Sequence, residues 1–367
     1  MISIASTFTM ADDSRQGLLR REYLKRAGAV GAAGATGLSG CMGGGGDGPN
    51  SLVIGIWGGS WQETMIEAVS NSYEEDMGIT LEYVVGDNTD RFNRLIAQRD
   101  DPPVNVSQQD GAGLVRGENE DLWLELTEDI VPRISDVPSQ FKSDYWTLQI
   151  FAASALLYNT ETMDSPPESW DAYLNPEYEG RVGLFTQDPT HDLLAFALHQ
   201  TDGEDPTAMD QAFDMYEEIV AEMDPVFITS SDEYGNRWQN GELDIARYWS
   251  ARAASWGENG PVGFSIPGAG AFTTNFGNAI PSNIPEERID AAGEFINYTL
   301  QQDAAQVIAE QMYYTNPVPD IEYPDGVQDK LIQEDDLENL QVPPFDFIAE
   351  NRSDWQQRVQ EIIDEYN

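Results

Sequence analysis

Cysteine occurs once in this 367-residue chain, at Cys41, and histidine only twice, at His191 and His199. A single cysteine excludes an intramolecular disulfide, and two histidines leave little room for a nucleophile–base pair. No G-x-S-x-G elbow, H-E-x-x-H helix, phosphate loop or strand-linked G-x-G-x-x-G is present. Nothing supports Ser–His–Asp chemistry, and carboxylates are too abundant for their spacing to signal a glycosidase. No metal or cofactor is expected. Positive charge is also scarce: 19 Lys plus Arg face 65 Asp plus Glu, for a formal charge of −46. Only Lys25, Lys142 and Lys330 are lysines. Nucleic acid is therefore excluded as a partner, since phosphate contacts need a basic face.

The acids are spread along the whole chain rather than gathered in a tail. Such a charge opposes compaction in dilute buffer, whereas at molar salt the screening length falls to about 3 Å. Acidic excess with scarce lysine thus reads as adaptation to a hypersaline medium.

The N-terminus reads as an address. Arg20-Arg21-Glu22-Tyr23-Leu24-Lys25 resembles a twin-arginine export signal. After a run of Ala, Gly and Val, Leu38-Ser39-Gly40-Cys41 resembles a lipobox, which makes Cys41 the expected lipid attachment site. Residues 1–40 would be the signal, and 41–50, with the stretch MGGGGDGP, a flexible tether. No other apolar run approaches the about eighteen residues that a membrane span needs. The expected location is the outer face of the cell membrane.

From Ser51 short apolar runs alternate with amphipathic segments, the pattern of an α/β fold. Strands are expected over Leu52–Trp57, Thr80–Val85, Val104–Ser107, Arg181–Phe185, Phe227–Ser230, Asp244–Tyr248 and Gly263–Ile266. Helices are expected over Trp61–Met77, Asp90–Arg99, Leu114–Glu120, His191–Gln200, Met209–Met223, Glu286–Leu300, Asp303–Gln311 and Asp354–Tyr366. Trp146–Asn159 is extended and apolar. Of three glycosylation sequons, the one at Asn105 falls in an expected core strand and reads as accidental.

Several segments together resemble the solute-binding proteins of ABC importers. They are GIWGGSWQE at 55–63, ALLYNT at 155–160, PPESW at 166–170, NPEYEGRV at 175–182, WQNGELD at 238–244 with Tyr248-Trp249, and Ala279-Ile280-Pro281. The nearest likeness is to polyamine- and opine-type binders, in a haloarchaeal-like lipoprotein form. The resemblance implies a type 2 periplasmic-binding fold: two α/β lobes, two crossover strands and a ligand cleft between the lobes. Lobe 1 would comprise 51–155 plus 276–325, and lobe 2 156–275 plus 326–367. Trp146–Asn159 and Pro267–Asn278 would be the crossovers. The implied partners are a small organic solute and the permease, with the chain itself a monomer and no enzyme. Two alternatives stand beside it, a ferric-ion or anion binder of an importer and a secreted hydrolase.

Candidate ligand residues sit at strand ends, where open sheets hold ligands. Trp57, Gly58, Gly59, Ser60 and Trp61 follow the first strand. Trp57 and Trp61 either pack or face the cleft; the bare glycine pair would let backbone N–H groups approach a ligand. Asp110 and Gly111 follow the third strand, with Asp110 either a cleft acid or a turn residue. Asp188 could be a cap or a cleft acid. In polyamine binders this position and the one three residues on are both acidic, whereas here the second is His191. Trp249 matches the family's stacking tryptophan. Where polyamine binders place a tryptophan and an aspartate, this chain has Thr274 and Phe276, which points away from a pure polycation. Arg252 is either a carboxylate clamp or half of a salt bridge. Tyr313-Tyr314 reads as core.

Overall fold

The computed structural model describes residues 50–366. The twin-arginine stretch, Cys41 and the segment up to Pro49 lie outside them. Ten strands form one mixed sheet among the described residues. They are β1 Ser51–Ile56, β2 Thr80–Val85, β3 Val106–Asp110, β4 Trp146–Asn159, β5 Val182–Phe185, β6 Val226–Ile228, β7 Ile245–Trp249, β8 Val262–Ser265, β9 Ala271–Ala279 and β10 Leu340–Gln341. The order runs β2-β1-β3-β9-β4-β7-β5-β6, with β10 on β9 and β8 on β4.

Two parallel units flank an antiparallel centre. β1 pairs in parallel with β2 and β3, and β5 in parallel with β6 and β7. Between them β9 runs antiparallel to β3 and β4, and β4 antiparallel to β7. β4 spans 14 residues and is buried at all but Trp146 and Tyr158. Covered on both faces, it reads as a continuous apolar run instead of an alternating one. Its register slips between Leu148 and Ile150, a β-bulge that leaves Gln149 outside the ladder.

Helices bridge the parallel strands. The segment after β1 runs Ser60–Met65, a π-helical turn Ile66–Ser70, then Asn71–Met77, ending on left-handed Gly78. Asn88–Ala97 opens on Asp87, whose carboxylate accepts from the Thr89 N–H. Most expected elements appear with shifted ends. Val104–Ser107 becomes β3 two residues later, and the last helix starts at Phe345 rather than Asp354. Two helices had not been expected, Ser231–Gln239 and Ser250–Gly257. Asn105 is buried, and its amide oxygen accepts from the Val53 N–H and from Arg288.

The larger core cluster joins the first parallel unit to residues around β7, including Tyr234, Trp238 and Tyr248. A second gathers Trp170, Tyr173, helices Thr190–Gln200 and Met209–Glu222, and Trp355 and Val359 of the last helix.

Candidate functional site

At the carboxyl end of β1 the chain turns through Trp57, Gly58 and Gly59 into the helix that starts at Ser60. Gly59 sits at φ 67°, ψ −142°, a combination that glycine alone adopts without strain. It lets Trp57 and Trp61 meet edge to face with ring centres 6.5 Å apart. Trp61 is 9% exposed and its Nε1–H donates to Gln108 Oε1 at 2.8 Å. Gln108 donates on to Gln149, the bulge residue, which also accepts from Asn278. Trp61 is thus anchored from behind, whereas Trp57 is half-buried and lies at the edge of this network. The Arg91 guanidinium carbon sits 4.6 Å from the Trp57 ring centre. Arg91 also donates to the Gln108 and Gly86 carbonyls, and burial lowers its pKa to about 10. Gly58, Gly59 and Ser60 are exposed.

On β9, Phe276 packs edge to face on Trp57 at 5.3 Å and on Tyr314 at 5.9 Å. Thr274 is half-buried opposite Ala152 on β4. Asp110 lies opposite Phe276 and caps the helix Gly111–Asn119, its carboxylate accepting from the Gly113 N–H at 2.7 Å. Burial raises its pKa. A side chain at Gly111 would strike the Phe345 ring, with 2.7 Å to its nearest atom, so this glycine serves packing.

On the other parallel unit, the Arg352 guanidinium binds Asp188 at 2.8 Å, and Asp188 also accepts weakly from the Thr190 N–H. His191 meets Trp249 edge to face at 4.7 Å. Its Nδ1 is buried without a partner, and burial, then the nearby Arg247 charge, push its pKa down to about 3. Arg247 and Asp192 form an ion pair of two hydrogen bonds, 3.0 and 3.2 Å, with side chains 1% and 0% exposed. Burial works against the guanidinium charge, but Asp192 holds it protonated beyond its ordinary range. This pair lies behind Trp249, whose ring centre is 5.5 Å from the Arg247 guanidinium carbon.

Arg252 is exposed and makes no hydrogen bond or ion pair with the described residues. It lines a cavity of about 220 Å³ with Ser60, Glu63, Thr64, Gln311 and Tyr314. The helices that start at Ser60 and Ser250 follow β1 and β7, so the first turns after both parallel units line this space. Of the expected ligand residues, Ser60 and Arg252 line it. Trp57, Trp61 and Phe276 form a ring chain that reaches it through Tyr314. Asp110, Gly111 and Asp188 are engaged within the protein, and His191 with Trp249 forms a separate cluster. Tyr314 had been read as core; it is half-buried, lines the cavity, and burial raises its pKa. Among the described residues no three His, Cys, Asp or Glu side chains gather as a metal site. His199 instead pairs with exposed Asp171 at 2.8 Å. Tyr314, the Arg252 guanidinium and the Glu63 carboxylate on the wall of one cavity make an arrangement for holding a small polar solute.

A family model for bacterial extracellular solute-binding proteins matches residues 68–334. The spermidine/putrescine-binding periplasmic protein of Salmonella typhimurium is 27% identical over 192 residues, 51% of this chain and 53% of that protein. The chain thus matches about half the length of the first of these relatives. Among solved structures, a Bordetella parapertussis protein assigned to the extracellular solute-binding proteins superposes with TM-score 0.74 at 20% identity. That match covers 86% of this chain and 99% of the other. The spermidine/putrescine ABC transporter substrate-binding protein of Streptococcus pneumoniae gives TM-score 0.69 at 17% identity, covering 86% and 98%. The fold is therefore that of the two-lobed periplasmic solute-binding proteins.

Proposed function

The chain belongs to the bacterial extracellular solute-binding protein family, whose members are binding proteins and not enzymes, and we propose that it serves an ABC importer. It captures a small organic solute, of polyamine, opine or amino-acid-derivative type, and delivers it to permease subunits in the membrane. The lobes are 51–155 plus 276–325 and 156–275 plus 326–367. Their closure buries the ligand, driven by the ligand's preference for the closed state. The chain acts as a lipid-anchored monomer on the outer face of the cell, exported by the twin-arginine route and held through Cys41 in a hypersaline medium.

The observation that carries this reading is the cavity lined by the helices that follow β1 and β7. Its walls take Ser60, Glu63 and Tyr314 from one lobe and Ala251, Arg252 and Ser255 from the other. A solute that touches both walls favours whatever conformation brings them together. Small-angle scattering in multimolar KCl tests it. Saturating solute should reduce the radius of gyration; an unchanged radius with a bound solute would remove lobe closure from the mechanism. Replacing Cys41 by Ala should release the protein into the medium, and retention at the membrane would speak against the lipid anchor.

A further inference from the structure

We infer that the solute carries a carboxylate together with its cationic group, and that Arg252 receives that carboxylate; this rests on the solute-binding reading above. In a chain with 65 acids and 19 bases, a cation has carboxylates available almost everywhere. Every other lysine and arginine among the described residues has a hydrogen bond or an ion pair. Arg252 alone has neither, and it stands on the cavity wall. A planar guanidinium with its donors unengaged fits a carboxylate through two parallel hydrogen bonds.

The acids tell the same story from the other side. Asp188, the position matched to a ligand-binding acid of polyamine binders, is already neutralised by Arg352 from the last helix. Asp110 spends its carboxylate on the Gly113 N–H. On the cavity wall one acid is left, exposed Glu63, which lines the same space as Arg252. One cation and one anion line the space, so a polycation would leave Arg252 repelling it, whereas a zwitterion satisfies both. A volume of about 220 Å³ equals that of about seven waters at ~30 Å³ each, room for a solute of amino-acid size.

The test uses two probes of equal chain length, 1,5-diaminopentane and 5-aminopentanoate, which differ in one terminal group. Each is titrated calorimetrically in multimolar KCl into the native protein, Arg252→Gln and Arg252→Lys. The native protein should bind the amino acid more tightly than the diamine. Arg252→Gln should weaken the amino acid about tenfold or more, and Arg252→Lys should restore part of the loss. Because Arg252 is exposed, melting temperatures should match, which separates lost binding from lost folding. Equal amino-acid binding by Arg252→Gln, or a native preference for the diamine, overturns the inference and leaves solute binding standing. No binding of either probe also overturns it; the wider reading falls with it only if no solute of any class binds in the same titrations.

Discussion

Removing the carboxylate of Asp192 should be among the most damaging single changes in the second parallel unit. Asp192 on helix Thr190–Gln200 accepts from both Nε and Nη2 of Arg247 on β7, and both side chains are buried. In Asp192→Ala the guanidinium stays buried with no counter-charge. Such a stranded ion costs about 3–5 kcal/mol, which in a chain of this length lowers Tm by about 4–7 °C. The double variant Asp192→Leu/Arg247→Met removes both charges while keeping volume, and should recover most of the loss. The assay is thermal unfolding followed by circular dichroism at 1 M and 4 M KCl. Because solvent ions cannot reach the pair, the deficit should persist at both salt concentrations. The exposed pair of Arg358 with Asp210 is the control: Asp210→Asn should change nothing measurable. A deficit for Asp192→Ala below about 1 kcal/mol, or one abolished by 4 M salt, would show that the Arg247 charge is not sealed from solvent.

His191 should make stability fall in acid. Its folded pKa lies near 3, below the ordinary value of about 6.5, so the unfolded chain binds more protons between these values. Stability is then fully present above about pH 6.5 and declines as pH drops towards 3. His191→Gln should flatten that slope in denaturant titrations, and an unchanged slope would count against burial of the imidazole. Gly59→Ala should lose about 1–3 kcal/mol through its positive φ and not a clash, since beyond its chain neighbours no described atom lies within 4 Å of the added carbon; an unchanged denaturation midpoint would contradict this. Trp61→Phe strands the Gln108 amide oxygen in the buried network, which should cost about 1–3 kcal/mol. Chemical denaturation reads it, and a loss confined to ligand affinity would show that Trp61 belongs to the cleft instead.

The alternation of apolar runs made the sheet legible, and the ends of Trp146–Asn159 showed in the sequence because a strand covered on both faces is largely apolar along its length. Helix Ser231–Gln239 escaped notice for a physical reason. Its sequence SDEYGNRWQ contains Gly235, a helix-weakening residue kept because a side chain there would meet Trp256 Nε1 at 2.7 Å. Helix Ser250–Gly257 is built of small residues without a clear apolar stripe. At the site, the glycine turn and its tryptophans were visible because local geometry demands them. The Asp188–Arg352 pair was not, since it joins residues 164 positions apart. Tyr314 looked like core because nothing local shows that Tyr313 turns left-handed, at φ 58°, to end the preceding helix. Arg252 stands out in the sequence as a candidate, but only the fold reveals that no carboxylate of the described residues pairs with it.

The most direct test of the account is calorimetric titration of the native protein in multimolar KCl. The panel comprises diamines, triamines, amino-acid derivatives and ferric citrate, with Trp57→Ala and Arg252→Gln as companions. One organic solute should bind saturably at one site per chain, and both variants should weaken it without lowering Tm to match. No heat from any solute, together with hydrolysis of ester or peptide substrates by the same preparation, would contradict the assignment as a solute-binding protein.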